Sequence, residues 1–209
     1  MNFRRHLYVL ISIILLWGLY FGCAGAIKSS TFVYLQQDRV ENKTKVIPIY
    51  IDIRFNEAER KEIESAIDRW NSTLNGYLEL KVMKEPFDME IGLIEKAIKK
   101  HEIYLVLRLD SNSKLFSNNP GNWTLGFTDS IGGDLIHLIP DNIKKGRATI
   151  YEITLHELGH IFGVKHVNGG LMNTKYERGK FLCIDEETVR RVSEWYGYDW
   201  RRMNYCKAK

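Results

Sequence analysis

The most informative stretch of this chain runs from His156 to His166 and reads HELGHIFGVKH. Its first two histidines are four residues apart, so on an α-helix both imidazoles lie on one face and can reach a single metal ion. Gly163 has no Cβ and can take the left-handed conformation that ends a helix and turns the chain. The pattern therefore predicts a helix followed by a turn that brings His166 to the same ion.

The predicted ligand set is that of a catalytic zinc site rather than a structural one. Neutral imidazoles of His156, His160 and His166 would fill three positions of a tetrahedral ion and leave the fourth open to water. Glu157 follows the first histidine and projects beside the ligands toward that open position. We therefore predict one catalytic Zn²⁺ with Glu157 as the catalytic residue.

The residues around the motif predict the helix and a second turn independently. Thr149 and Glu152 match the Ser/Thr-x-x-Glu capping box that begins a helix, and apolar residues follow them. After the third histidine, the sequence GGLMN forms a tight return that can place Met172 beneath the metal. Gly163 and Met172 are therefore predicted to support the site without binding the ion.

Taken together, these motifs resemble the metzincin metallopeptidases, which carry His-Glu-x-x-His-x-x-Gly-x-x-His and a Met-turn. The sequences LHELGH at 155–160 and EWYG at 194–197 are most similar to the matrixin-like branch. The resemblance implies a zincin-like domain of the α+β class, with a general base at Glu157 and a supporting turn at Met172. It also implies zinc ligands at His156, His160 and His166.

The predicted function is zinc-dependent endopeptidase activity. A zinc-activated water would attack the peptide bond while Glu157 takes its proton and later delivers one to the departing amine. The peptide or protein substrate would bind extended along an edge strand predicted between Trp123 and Thr128. Two alternatives are an exported zinc-bearing binding protein on a zincin scaffold, without proteolysis, and a metal-independent adhesion protein. The intact Glu157 and ligand set favour the enzyme.

Length and charge narrow the class of protein further. A chain of 209 residues with 44% hydrophobic residues has room for one globular domain and a short leader. The formal net charge of +4 is mild, and no stripe of basic and aromatic residues indicates a nucleic acid partner. We therefore expect no nucleic acid binding.

The first 27 residues have the layout of a signal peptide or an N-terminal membrane anchor. Arg4 and Arg5 precede an apolar run of roughly 20 residues, long enough to span a bilayer. The sequence AGA at 24–26 offers a cleavage site, and Cys23 weakly resembles a lipoprotein acylation site. In each case the protein is expected to be exported, secreted or membrane-anchored, with its catalytic domain outside the cytoplasm and membrane contact only through this segment.

Export makes a disulfide possible in the folded domain. Cys183 and Cys206 flank the last predicted helix, at 186–196, and the returning tail is long enough to bring them together. The alternative is two unrelated thiols, with Cys183 buried as a small hydrophobic residue.

The order of the predicted elements gives an α+β domain. Residues 28–45 are polar without periodicity and are predicted to be a linker, so the catalytic domain would span 46–209. We expect a twisted mixed β-sheet of about five strands, packed with a helix from the N-terminal half, the zinc-binding helix and a C-terminal helix. The predicted strands are 46–55, 77–83, 103–109, 123–128 and 134–139; the first helix begins at Asn56, and 90–100 is a short helix or an ordered connection.

Overall fold

A computed structural model of the chain describes residues 32–40, 44–84, 103–112, 124–178 and 182–208. The predicted leader at 1–27 and the predicted connection at 90–100 lie outside these residues. No helix within the described ranges combines the length and apolar character needed to cross a membrane.

The described part of the chain contains seven strands and four α-helices. One 3₁₀ helix follows the last α-helix. In chain order the elements are β1 (Phe32–Leu35), β2 (Lys45–Ile51), α1 (Glu57–Leu74), β3 (Leu78–Val82), β4 (Tyr104–Arg108), β5 (Gly126–Thr128), β6 (Leu135–Leu138), α2 (Pro140–Lys145), α3 (Ile150–Ile161), α4 (Glu186–Tyr196), the 3₁₀ helix (Trp200–Arg202) and β7 (Tyr205–Ala208).

A five-stranded mixed sheet with the order β3-β2-β4-β6-β5 forms the centre of the domain. β2 pairs in parallel with β3 and β4, and β4 pairs in parallel with β6. β5 alone is antiparallel, and it occupies one edge of the sheet beside β6. The predicted α+β class with a mixed sheet of about five strands and three main helices is confirmed.

The sequence patterns explain why the central elements form. Ile47, Ile49 and Ile51 alternate along β2 and are all buried in the core, as period-two spacing requires. Asn56 begins α1 with a full capping box, because its side chain accepts from Glu59 N while Glu59 accepts from Asn56 N. One face of α1 is buried in the same core, through Ile63, Ala66, Ile67, Trp70 and Leu74.

Two contacts fix α3 against its neighbours. The indole of Trp70 is fully buried and donates from Nε1 to Leu155 O over 2.9 Å, which joins α1 to α3. On the other side, a Cβ at Gly126 would come within 2.8 Å of the Ile153 side chain, so the glycine lets β5 lie directly along α3. α3 is thus held between α1 and the edge strand β5.

Three parts of the fold differ from the sequence predictions. Part of the predicted linker at 28–45 forms β1, which pairs antiparallel with β7 in a two-stranded sheet. That pairing joins segments about 170 residues apart in a chain of 209, so no local pattern reveals it. The short helix α2 was not predicted, and the strand predicted at 123–128 is limited to Gly126–Thr128 within the described residues.

Cys183 and Cys206 form a disulfide, with their Cα atoms 6.0 Å apart. Cys206 N also donates to Ile184 O over 3.0 Å, so β7 is bound to the segment that leads into α4 by a covalent and a hydrogen bond. The alternative of two unrelated thiols does not hold in this structure.

Replacing both cysteines with serine should lower the free energy of unfolding by about 3 kcal/mol, because the bridge closes a loop with a sequence separation of 23 residues in the unfolded chain. Urea unfolding of oxidised wild type, reduced wild type and the double variant measures the loss. Reduced wild type is the matched control and should behave like the variant. Equal stability of all three samples would contradict the prediction.

Candidate metal centre

α3 carries the site and is built into the interior of the domain. Thr149 begins it with the predicted capping box, in which its side chain accepts from Glu152 N while the Glu152 carboxylate accepts from Thr149 N. Every residue from Glu152 to Ile161 is buried. Functional side chains on this helix therefore have little rotational freedom once the core is packed.

The turn after α3 follows the path that the glycine predicted. Gly163 has φ +85°, in the left-handed region, and Val164 N donates to Gly159 O over 3.0 Å to close the helix end. A Cβ at Gly163 would collide with the indole of Trp195, which packs across this turn. The reversal brings His166 back toward the two histidines of the helix.

The three imidazoles converge on one point through their Nε2 atoms. His166 Nε2 lies 3.2 Å from His156 Nε2 and 3.1 Å from His160 Nε2. Two nitrogens that each lie about 2.0 to 2.1 Å from a tetrahedral zinc ion are about 3.3 Å apart. Among the described residues, these three histidines are the one group of histidine, cysteine or carboxylate side chains whose ligand atoms all lie within 4.8 Å of one another.

The far nitrogens of the two helix imidazoles determine which atoms face the centre. His156 Nδ1 lies 2.6 Å from Leu171 O, and His160 Nδ1 lies 2.7 Å from Val164 O. A carbonyl oxygen only accepts, so both Nδ1 atoms carry the proton and both Nε2 atoms present lone pairs. One N–H on His166 could satisfy only one of those lone pairs, whereas one metal ion accepts all three nitrogens.

Burial keeps these imidazoles in the neutral form that binds metal. Burial and, to a smaller extent, the two neighbouring imidazoles lower the pKa of His156 to about 3, against the opposing effect of its hydrogen bond to Leu171 O. Burial also lowers the pKa of His160 and of His166 from their usual range. The residues present therefore fit a zinc ion at neutral pH without first having to lose protons.

Glu157 is the second unusual group of the centre. Its side chain is buried, and its Oε2 has no hydrogen-bond partner among the described residues. Burial raises the pKa of this carboxyl to about 8. A buried, unpartnered carboxyl oxygen is costly to maintain, and it lies in the chain directly beside a potential metal ligand.

Met172 packs against α3 at Gly159. Its side chain is fully buried, and a Cβ at Gly159 would collide with its thioether, so the glycine between the two helix histidines leaves room for it. Val167 N donates to Met172 O over 2.9 Å, which ties the return segment to the chain just after His166. Met172 therefore packs on the inner side of the helix that carries His156 and His160.

Other polar residues lie apart from the converging donors or are already paired. His137 stacks on Phe127 with ring centroids 4.6 Å apart and does not join the three histidines. The hydroxyl of Tyr176 donates to Glu152 Oε2 over 2.8 Å. Sequence reasoning missed the carbonyls of Leu171 and Val164, because the position of a backbone acceptor depends on the path of the turn and not on residue type.

Comparisons with known proteins give structural likenesses and no sequence match. No protein-family profile and no curated protein matches the chain. High choriolytic enzyme 1, a hatching-enzyme zinc protease of the medaka fish Oryzias latipes, is 19% identical over 63% of this chain and 50% of that chain, with a TM-score of 0.33.

Two microbial proteins show comparable likeness. Metalloproteinase-II from Bacteroides fragilis is 16% identical over 79% of this chain and 58% of that chain, with a TM-score of 0.46. Archaemetzincin from Methanopyrus kandleri is 13% identical over 68% of this chain and 86% of that chain, with a TM-score of 0.37. Likenesses at these identities and TM-scores assign no activity to the chain.

Gly163→Ala should destabilise the protein more than Gly169→Ala does. Both glycines have nearly the same φ, +85° and +84°, so each alanine bears the same left-handed strain of about 1–2 kcal/mol. At Gly163 the new methyl must also displace Trp195, while nothing lies within 4 Å of one at Gly169. Urea unfolding of the zinc-free variants measures the difference, and equal losses would show that Trp195 does not restrain the turn.

Glu157→Gln should stabilise the metal-free protein increasingly as pH rises from 5 to 8. The folded carboxyl has a pKa of about 8 and its ordinary value is 4.5, so across this range the folded state binds the extra proton and stability falls with rising pH. Glutamine removes that dependence. Chelated wild type and variant are unfolded in urea at both pH values, with exposed Glu194→Gln as the control. If the free energy of unfolding changed equally between the two pH values in variant and wild type, the burial of an unpartnered carboxyl would be contradicted.

Proposed function

We propose that this chain is a zinc-dependent endopeptidase of the metzincin type, most similar to the matrixin-like branch. The observation that carries the proposal is that three Nε2 atoms converge in the same centre that contains the buried, unpartnered carboxyl oxygen of Glu157. A structural zinc site does not require a carboxyl group that is not a ligand. Hydrolysis does require a group that exchanges protons beside an open metal position.

His156, His160 and His166 would hold one zinc ion. When bound, such an ion lowers the pKa of a coordinated water and polarises a carbonyl group. The Nδ1–H bonds to Leu171 O and Val164 O keep two of the ligands in one tautomer and one orientation. Because the chain would supply only three nitrogen ligands, a bound ion would have room for a reacting group as well.

Glu157 would act as the general base and then as the general acid. Its carboxylate would accept the proton of the attacking water and deliver a proton to the nitrogen of the departing amine. Burial brings its pKa to about 8 in the metal-free protein, close to the pH at which it would have to exchange protons in both directions. Exclusion of bulk water from its surroundings also strengthens its interaction with charge that develops in the transition state.

We place the substrate, a peptide or protein, along β5. This strand ends the sheet order and pairs only with β6 among the described strands, so its outer edge can pair with an extended backbone. Because Gly126 lets the strand lie close to α3, a peptide added there would run beside the histidine cluster. Because β5 is short and lies at the edge, the bound peptide would itself form the next strand of the sheet.

We also propose that the protein works outside the cytoplasm. The Cys183–Cys206 disulfide is the observation in favour, because such bridges persist in oxidising compartments. The apolar N-terminal segment, as signal peptide or anchor, would supply the route of export.

Glu157→Gln should lower the rate of peptide cleavage by about 10² to 10⁴-fold while zinc stays bound at one ion per chain, because the carboxylate exchanges protons but is not a ligand. A mixed peptide library is incubated with the zinc-loaded full chain, and internal cuts are counted by mass spectrometry alongside metal analysis.

Glu194→Gln, on the exposed side of α4, is the matched control and should cut like wild type, whereas His166→Ala should lose both zinc and cleavage. If zinc-loaded wild type makes no cuts, the chain is a zinc-bearing binding protein. If Glu157→Gln cuts as fast as wild type, the assigned base is wrong.

A further inference from the structure

The carboxylate of Asp185 joins two segments that are distant in sequence. Its Oδ1 accepts from Thr188 N over 2.9 Å, which makes Asp185 the N-cap of α4. Its Oδ2 accepts from Leu171 N over 3.0 Å, in the return segment that precedes Met172. A helix cap requires only the first of these bonds, so the second calls for a separate explanation.

Leu171 is held at both of its backbone polar groups. Its N–H donates to Asp185, and its carbonyl accepts the Nδ1–H of His156 over 2.6 Å. The residue itself is fully buried in the core. The two bonds hold the peptide groups on either side of the Leu171 Cα, so the bond to Asp185 restrains the backbone from which the carbonyl reaches His156.

The residue before Leu171 is adapted to the approach of this carboxylate. Gly170 has φ +65°, and a Cβ there would lie 2.5 Å from Asp185 Oδ2. Any side chain at this position would therefore push the carboxylate away from Leu171 N.

The segment that presents Asp185 is itself restrained. Cys183 is bridged to Cys206, and Ile184 O accepts from Cys206 N over 3.0 Å. Both residues before Asp185 are thus bound to β7. The backbone of Asp185 is therefore restrained on its N-terminal side by β7 and on its C-terminal side by α4. This support gives it a fixed position from which to hold Leu171.

We propose that Asp185 is a positioning residue for the metal ligand His156, acting through the backbone of Leu171. The inference rests on the proposed zinc site and adds a residue to it that touches neither metal nor substrate. Asp185 restrains the backbone of Leu171 at its N–H, and Leu171 O sets the tautomer and ring orientation of His156. Loss of the Asp185–Leu171 bond should weaken zinc binding about 10 to 100-fold, the range found when outer partners of metal ligands are removed.

The test is Asp185→Ser in the full, oxidised chain. Serine is itself a preferred N-cap and can still accept from Thr188 N, but its shorter side chain does not reach Leu171 N. Zn²⁺ affinity is measured by competition with a chelating dye, and the visible spectrum of the Co²⁺-loaded protein reports the ligand geometry. We expect weaker Zn²⁺ binding and a changed Co²⁺ spectrum, with the urea stability of the metal-free protein within about 1 kcal/mol of wild type.

Gly170→Ala tests the same bond from the other side, because it displaces the carboxylate while Asp185 and its cap remain in the sequence. Two matched controls should keep wild-type affinity and spectrum. Asp199→Ser changes another N-cap aspartate, which accepts from Arg201 N, and Gly169→Ala changes a glycine at φ +84° with nothing within 4 Å.

The outcomes separate this inference from the proposed function. Wild-type zinc binding together with unchanged affinity and spectrum in both Asp185→Ser and Gly170→Ala would overturn the positioning role alone. A wild-type chain that binds no zinc would overturn both the role and the proposed function. Weaker binding in the two variants but not in the two controls supports Asp185 as the residue that orients His156.

Discussion

Each of the two helix imidazoles is bound at its far nitrogen by a backbone carbonyl, and the rest of the centre depends on these two hydrogen bonds. Leu171 O and Val164 O select the tautomer that turns the lone pairs of His156 and His160 inward. Neither carbonyl belongs to α3, so the helix alone cannot prepare the site. The glycine turn after the helix and the return segment before Met172 must both be in place first.

Much of the remaining fold can be understood as support for those two segments. Trp195 of α4 packs on the glycine turn, and the N-cap of the same helix binds the return segment through Asp185. The disulfide and β7 restrain the residues that lead into α4. A C-terminal region that is distant in sequence from the histidines therefore helps to set their geometry.

The centre also concentrates groups that are unfavourable in a protein interior. Three neutral imidazoles face one another and a carboxyl oxygen lies buried without a partner among the described residues. The core formed by the sheet, α1 and α3 must offset that cost in the metal-free state. A metal ion would bind the facing nitrogens and so convert an unfavourable cluster into a stabilising one, which couples metal binding to stability.

The sequence by itself determined the parts of this protein that depend on local spacing. Two histidines four residues apart, the capping boxes at Asn56 and Thr149, and the alternating isoleucines of β2 predict elements that the structure contains, since helix and strand periods act within a few residues. The element bounds were less well predicted, as the short β5 shows, because strand ends depend on neighbouring strands. Only the tertiary structure decided the pairing of β1 with β7 and the bonds of Leu171 to Asp185 and His156. These contacts join distant segments largely through backbone groups, which every residue but proline carries alike, so no pattern of side chains could reveal them.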